Sequence, residues 1–247
     1  MKIIDSFASP NFGERITDKI DMLVFHYTAM EDAKSAIERL CDPKAQVSSH
    51  YLISKRGEIY RLVDESKRAW HAGRSAWRGV TDINSQSIGI ELDNLGLDGD
   101  GEFIAFAEPQ LEALLWLSRD IMSRHDLSAR NIVGHSDIAF MRKQDPGNKF
   151  PWQRFAEQGI GVWPNPVSTP SRATKPIGPA SQPADIDMFR DKLNAYGYAV
   201  STSGAYDNDL RGAIIAFQRH FDPQHVNGVA DDRLQAILDD ILTQIDG

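Results

Sequence analysis

From Trp163 to Pro183 the chain reads WPNPVSTPSRATKPIGPASQP, with six of its twelve prolines set among Ser and Thr and almost no large apolar side chain. Proline fixes φ and removes a backbone donor, so such a stretch cannot fold alone and tends to stay extended. It reads as a linker over 164–183, dividing the 247 residues into a unit at 1–163 and a smaller one at 184–247. The first is long enough for a substantial core. The second carries eleven Asp, no Glu and five Arg or Lys, so it holds −6 of the total charge of −8. Neither unit is built to neutralise phosphates, and nucleic acid is not an expected partner.

With 41% hydrophobic and 25% charged residues the chain has the composition of an ordinary globular protein, which excludes disorder of the whole. Its one cysteine, Cys41, rules out an internal disulfide framework and falls at the end of a predicted helix. The opening MKIIDSFASPNFGERITDK has no apolar run long enough for a signal-peptide core, and no later segment approaches the ~18 apolar residues of a membrane span. A cytoplasmic monomer is expected, with an envelope role as the alternative.

In the first unit, MLVFHYT (22–28) is a buried strand by its β-branched and aromatic content, and HYLIS (50–54) with EIYRLV (58–63) forms a hairpin around KRG. SIGIEL (87–92) alternates, with Ile88, Ile90 and Leu92 on one face and Gly89 and Glu91 on the other. EDAKSAIERL (31–40) and PQLEALLWLSRDIMSR (109–124) have helical periodicity. This interleaving predicts an α/β domain with a mixed central β-sheet flanked by helices. DIDMFRDKLNAYG and DNDLRGAIIAFQRHF predict a small all-α unit after the linker.

The stretch VGHSDIAFMRKQDPGNKFPW (133–152) brings His135, Lys143 and Asp145 together in a segment that periodicity does not explain. Alone, a His after a short strand is more often a hydrogen-bonded structural residue, and an Asp before Pro-Gly is a turn former. His26, however, also ends a predicted strand, where side chains of α/β domains converge on ligands. Two imidazoles and one carboxylate, with a fourth position open, form a recognised catalytic zinc set. Glu91 faces away from its apolar neighbours and is either a paired strand-edge carboxylate or a general base. Lys143 is either solvated or held where a cation stabilises an oxyanion.

The blocks FHYTAM (25–30), VSSHYLISKRGEIYRLV (47–63), AWHAG (69–73), IGIELDN (88–94), VGHSDI (133–138) and RKQDPGNKFPW (142–152) resemble the type 2 N-acetylmuramoyl-L-alanine amidases, the AmpD- and AmiD-like zinc enzymes of cell-wall turnover. The resemblance spans roughly residues 1–160, in order. It implies that His26, His135 and Asp145 bind Zn2+, that Glu91 is the catalytic acid/base, that Lys143 assists at the carbonyl oxygen, and that His50, Trp70, His71 and Asn94 line the substrate groove. Related phage-lysozyme-like and peptidoglycan-recognition members usually have Cys as third ligand and Tyr before the second-block histidine. Asp145 and Ser49 stand there in this chain, which favours the AmpD-like branch and leaves position 49 without a catalytic role.

The tail resembles a three-helix peptidoglycan-binding module in FRDKLNAYGY, GAYDNDLRGAIIAFQRHF and VNGVADDRLQAIL. The expected partners are therefore muropeptides, anhydromuropeptides or the peptidoglycan polymer, and the expected reaction is hydrolysis of the amide between N-acetylmuramic acid and L-alanine. Two alternatives stand beside it: a peptidoglycan-recognition protein that binds without cutting, and a prophage or envelope lytic amidase acting on intact sacculi. A serine hydrolase is disfavoured because G-x-S-x-G is missing.

Overall fold

The computed structural model describes residues 1–166 and 175–246. The centre of the predicted linker, 167–174, lies outside the described residues. In chain order the elements are β1 (Ile3–Ile4), β2 (Phe12–Glu14), β3 (Met22–Tyr27), α1 (Ala33–Cys41), β4 (Tyr51–Ile53), β5 (Ile59–Arg61), β6 (Lys67–Ala69), α2 (Ile83–Gln86), β7 (Ser87–Leu92), α3 (Glu108–Arg124), β8 (Ile132–Gly134), α4 (His135–Ile138) and α5 (Trp152–Ala156). After the linker come α6 (Pro183–Tyr196), α7 (Asn208–Phe221) and α8 (Asp232–Asp246).

Six strands form one mixed sheet in the order β1-β5-β4-β7-β3-β8, and β2 pairs with β6 separately. β3 and β7 are interior neighbours, parallel, with Phe25 opposite Ile90 and His26 opposite Glu91. Parallel strands in register send paired residues to the same face. Leu23, Phe25, Ile88, Ile90 and Leu92 therefore bury one face against Leu111, Leu114 and Ile121 of α3 and Phe150 and Phe155 near α5. Each such side chain contributes about 1.5–3 kcal/mol on burial. That layer fixes the centre of the sheet, so the opposite face, with His26 and Glu91, is presented on a rigid base.

The helices end where their caps direct. Asp32 accepts from Ser35 N at 2.8 Å to start α1, and Asp207 accepts from Leu210 N at 2.9 Å to start α7. Pro109 stands in the first turn of α3, where its missing N–H costs nothing.

The C-terminal helices pack against the first unit. Phe189, Leu193, Ile214, Phe217 and Leu238 share one continuous core with Met22, Val24, Trp77, Val133 and Ile138. Tyr196 and Tyr198 meet the Trp77 ring edge-on at 5.4 and 5.3 Å. Gly197 lies between them, where a Cβ would come within 2.7 Å of the Trp77 ring. Both described flanks of the linker are tied to the C-terminal unit: Asn165 N donates to Asp240 Oδ2, and Ile177 pairs with Ala230. Among the described residues no helix is long and apolar enough to cross a membrane.

Candidate metal centre and catalytic groove

His26 stands near the C-terminal end of β3, and β8 runs beside β3 with Gly134 opposite Phe25, so His135, the next residue, emerges next to His26. Asp145 arrives from the loop after α4, which is fastened by Ser136 N donating to Asp145 O at 2.8 Å. His26, His135 and Asp145 are all buried. Their donor atoms form a triangle: Nδ1 to Nδ1 2.9 Å, His26 Nδ1 to Asp145 Oδ2 3.1 Å, and His135 Nδ1 to Asp145 Oδ2 3.0 Å.

The neighbours decide which ring nitrogens carry protons. His135 Nε2 meets the Ala72 carbonyl at 3.1 Å, and a carbonyl only accepts, so Nε2 is the N–H and Nδ1 is a bare lone pair. On the other side, the Ser87 hydroxyl donates to Ile83 O at 2.7 Å and must therefore accept from His71 Nε2 at 3.0 Å. His71 Nδ1 is then an acceptor, and it takes the proton of His26 Nε2 at 3.0 Å. His26 Nδ1 is left bare as well.

Three lone-pair donors thus converge on one point. Protonation does not relieve His26, because burial, and next the neighbouring His135, push its pKa down to about 4. A cation is the remaining partner for such a set. Tetrahedral zinc would separate its ligands by about 3.3 Å, and the triangle is within a few tenths of an ångström of that.

The three donors open onto a cavity of about 550 Å³ whose wall also includes Trp70, His71, Glu91 and Lys143. Glu91 Oε2 is sealed from solvent without a hydrogen-bond partner. Burial, and then the Asp145 carboxylate, push the Glu91 pKa up to about 8, with Lys143 drawing it back. A larger cleft of about 1260 Å³ between the two units, lined by Trp163, Pro164 and Asp232 among others, includes none of these residues.

Four residues expected to line the groove divide evenly. Trp70 and His71 do line it, although the His71 ring is also the hydrogen-bonded support of His26. That ring sits over Gly89, where a Cβ would fall 2.4 Å from His71 Cγ, so the strand residue two before Glu91 must be Gly. His50 and Asn94 are outside the cavity wall, a correction to the expectation for both. His50 is wholly buried between Arg15 Nη2, Lys67 O and Gly89 N, each at 3.0 Å. Asn94 is spent on the following loop, accepting from Gly96 N at 2.7 Å and donating to Ile104 O. Ser49, too, is buried and bonded to Tyr51 O and Gly89 O.

Sequence reasoning missed three contributors. Ser87 ends the proton chain behind His26. Arg142 donates to Ala72 O at 2.8 Å, anchoring the carbonyl that orients His135. Arg219, from α7 of the C-terminal unit, reaches the cavity wall. Only tertiary packing joins Ser87 and Arg219 to the site, while Arg142 neighbours Lys143 in the chain but takes a carbonyl partner seventy residues away.

Residues 16–148 match the family described as N-acetylmuramoyl-L-alanine amidase, and residues 182–238 match that of a peptidoglycan binding domain. The chain is 42% identical over 236 residues to the N-acetylmuramoyl-L-alanine amidase AmiD of Escherichia coli, covering 91% of this chain and 83% of AmiD. The crystal complex of that enzyme with anhydro-N-acetylmuramic acid-L-Ala-D-gamma-Glu-L-Lys superposes with a TM-score of 0.81 at 39% identity, covering 98% of this chain and 92% of the other. AmpDh3 of Pseudomonas aeruginosa, in complex with anhydromuramic pentapeptide, superposes with a TM-score of 0.79 at 33% identity, covering 99% of each chain. A family match over more than half of the chain, joined to a relative alike over nine-tenths of it, has one meaning: the chain belongs to the N-acetylmuramoyl-L-alanine amidase family.

Proposed function

We propose that His26, His135 and Asp145 hold a zinc ion and that Glu91 and Lys143 carry the chemistry by which this amidase cleaves the bond between the muramic acid lactyl group and L-alanine. The observation that supports it most is the convergence of two imidazole lone pairs, whose ring protons are committed elsewhere, with a carboxylate oxygen, beside a second carboxylate, that of Glu91, whose Oε2 is sealed and unpaired. Zinc would supply Lewis acidity there and lower the pKa of a water to about 7.

The chain's own residues supply the rest. Glu91, as the carboxylate, accepts the proton of the attacking water and returns it to the departing amine of L-alanine, a role worth roughly 10² to 10⁴ in rate. Lys143, on the same wall, offsets the charge that develops on the carbonyl oxygen. Trp70 gives the sugar or peptide an apolar surface at the edge of the site. His71 and Ser87 keep the His26 tautomer fixed throughout.

Soluble anhydromuropeptides, met in the cytoplasm, are the substrate this reading favours, because the ligands named in the AmiD and AmpDh3 complexes are of that class. The peptidoglycan binding domain match supports a second reading, in which intact sacculi are cut in the envelope. Mass spectrometry of products from the zinc-loaded protein, given anhydromuropeptide and sacculi in parallel, separates the two. Release from the soluble substrate alone supports the first, and release from both supports the second. Glu91→Gln is expected to lose about 10² to 10⁴ in kcat while binding one zinc per chain. Full activity in that variant would remove Glu91 from the mechanism, and no release by the native chain from either substrate would leave a binding protein.

A further inference from the structure

Four cationic side chains border the groove: Arg39, Arg142, Lys143 and Arg219. Arg39 is exposed on α1. Arg142 is occupied by the backbone carbonyls of Ala72 and Arg74. Lys143 lies beside Glu91 and the donor triangle, whose pKa values register its charge.

Arg219 differs from all three. It comes from α7, so it is the C-terminal unit's residue in the cavity wall. Its guanidinium carbon stands 5.5 Å from the centroid of the Phe103 ring, and Nε is buried without a hydrogen-bond partner. Among the described residues no carboxylate lies within ion-pair distance of it, and the ionisable group that acts on it is Tyr27, the residue after His26, whose phenol burial keeps neutral. Burial lowers its pKa, but an arginine keeps its proton at any physiological pH. A half-buried permanent charge without a protein counterion is costly, and here it faces a cavity large enough for a ligand.

We propose that Arg219 is a substrate-specificity residue, through which the C-terminal domain contributes a carboxylate-binding position to the peptide side of the catalytic groove. The inference rests on the amidase reading. In that substrate the sugar offers no anion, because the lactyl carboxyl is consumed in the scissile amide and the acetamido group is neutral. The peptide does: a γ-linked Glu leaves its α-carboxylate free, and the last residue ends in another. A planar guanidinium steadied over an aromatic ring is suited to a bidentate carboxylate. The C-terminal helices would then read peptide charge, beside any glycan that they hold.

The test compares kcat/KM of the zinc-loaded full chain on three substrates: anhydromuramyl-L-Ala-γ-D-Glu-L-Lys with both carboxylates free, with the Glu α-carboxylate amidated, and with the C-terminal carboxylate amidated. The native enzyme is expected to lose roughly ten- to a hundredfold, mainly in KM, on one of the amidated substrates, which identifies the carboxylate bound. Arg219→Gln is expected to abolish that preference, making the amidated and free forms equivalent. Arg219→Lys, which keeps the charge without the fork, is expected to restore part of it and serves as the readout if Arg219→Gln is poorly folded. Indifference of the native enzyme to both amidations would overturn the proposal. So would an Arg219→Gln or Arg219→Lys enzyme that is slower on all three substrates yet keeps the full preference, since that is the mark of a structural role. Product release by the native enzyme from all three substrates keeps the amidase reading intact even if Arg219 fails.

Discussion

Ser87 is distant from the chemistry yet decides it, because its hydroxyl proton is drawn to Ile83 O and the whole chain of tautomers through His71 to His26 follows from that one donation. Outer partners that fix a ligand's tautomer typically contribute ten- to a hundredfold in metal affinity. Ser87→Ala is therefore expected to weaken zinc binding by about that factor in a chelator competition, with the melting temperature of the zinc-free protein changed far less. Unchanged affinity would mean that His26 finds its tautomer unaided. The convergence of His26, Glu91, His135, Lys143 and Asp145 on one cavity was foreseeable because each occupies a strand end or a short loop with its own pattern. His50 and Asn94 were misread, since a motif position does not say which way a side chain turns: His50 turns into the space between Arg15 and β7, and Asn94 into its own loop. Ser87 could not be picked out, as a serine opening a strand has many ordinary uses.

The longer elements followed from periodicity. β3, β7 and α3 fall where the apolar patterns predicted them, within a residue or two at either end. β1, β2, β6 and α2 have two to four residues each, too few to display a period, and exist because neighbours supply their pairing. One junction between elements gives a pH dependence. Glu65, after β5, accepts from Tyr51 of β4 at 2.7 Å and from Arg124 Nη2 at the end of α3 at 2.9 Å, with His125 Nε2 also 2.9 Å away. Burial alone would raise its pKa, but the hydrogen bonds from Arg124, His125 and Tyr51 prevail and bring it down to about 2, from an ordinary 4.5. A folded-state pKa below the unfolded one stabilises the fold above the unfolded value, and this contribution fades as pH falls from about 4.5 through about 2. Melting curves of zinc-free protein should show Glu65→Gln less stable than the native chain at pH 6, with the gap closing toward pH 2. A gap that stayed constant would assign the stabilisation to packing rather than to charge.

At the scale of the whole molecule, the Pro-rich segment suggests two units and says nothing of their embrace. Nothing in the local pattern says that Trp77 will sit under Tyr196 and Tyr198, or that a glycine must stand between those tyrosines. Gly197→Ala is expected to pry α6 from Trp77, lowering the melting temperature and exposing apolar surface to a dye such as ANS, while either unit keeps its own helices by circular dichroism. The absence of both effects would show the contact to be slack. The same packing forecasts the outcome of cutting the chain in the linker: the N-terminal piece would present Trp77, Val133 and Ile138 to water, a patch that favours aggregation. Asp137 gives this contact its chemical centre. It sits two residues after His135, accepts from Gly134 N at 2.7 Å and from Tyr198 Oη at 2.6 Å, and pairs with His220 at 2.9 Å. The helix that delivers His135 to the donor triangle is therefore also the helix that the C-terminal domain grips. Thermodynamic reciprocity then applies: any cation or substrate that favours the gripped conformation must tighten the union of the two domains by the same factor by which that union tightens its own binding. A filled groove would make this a harder protein to pull in two.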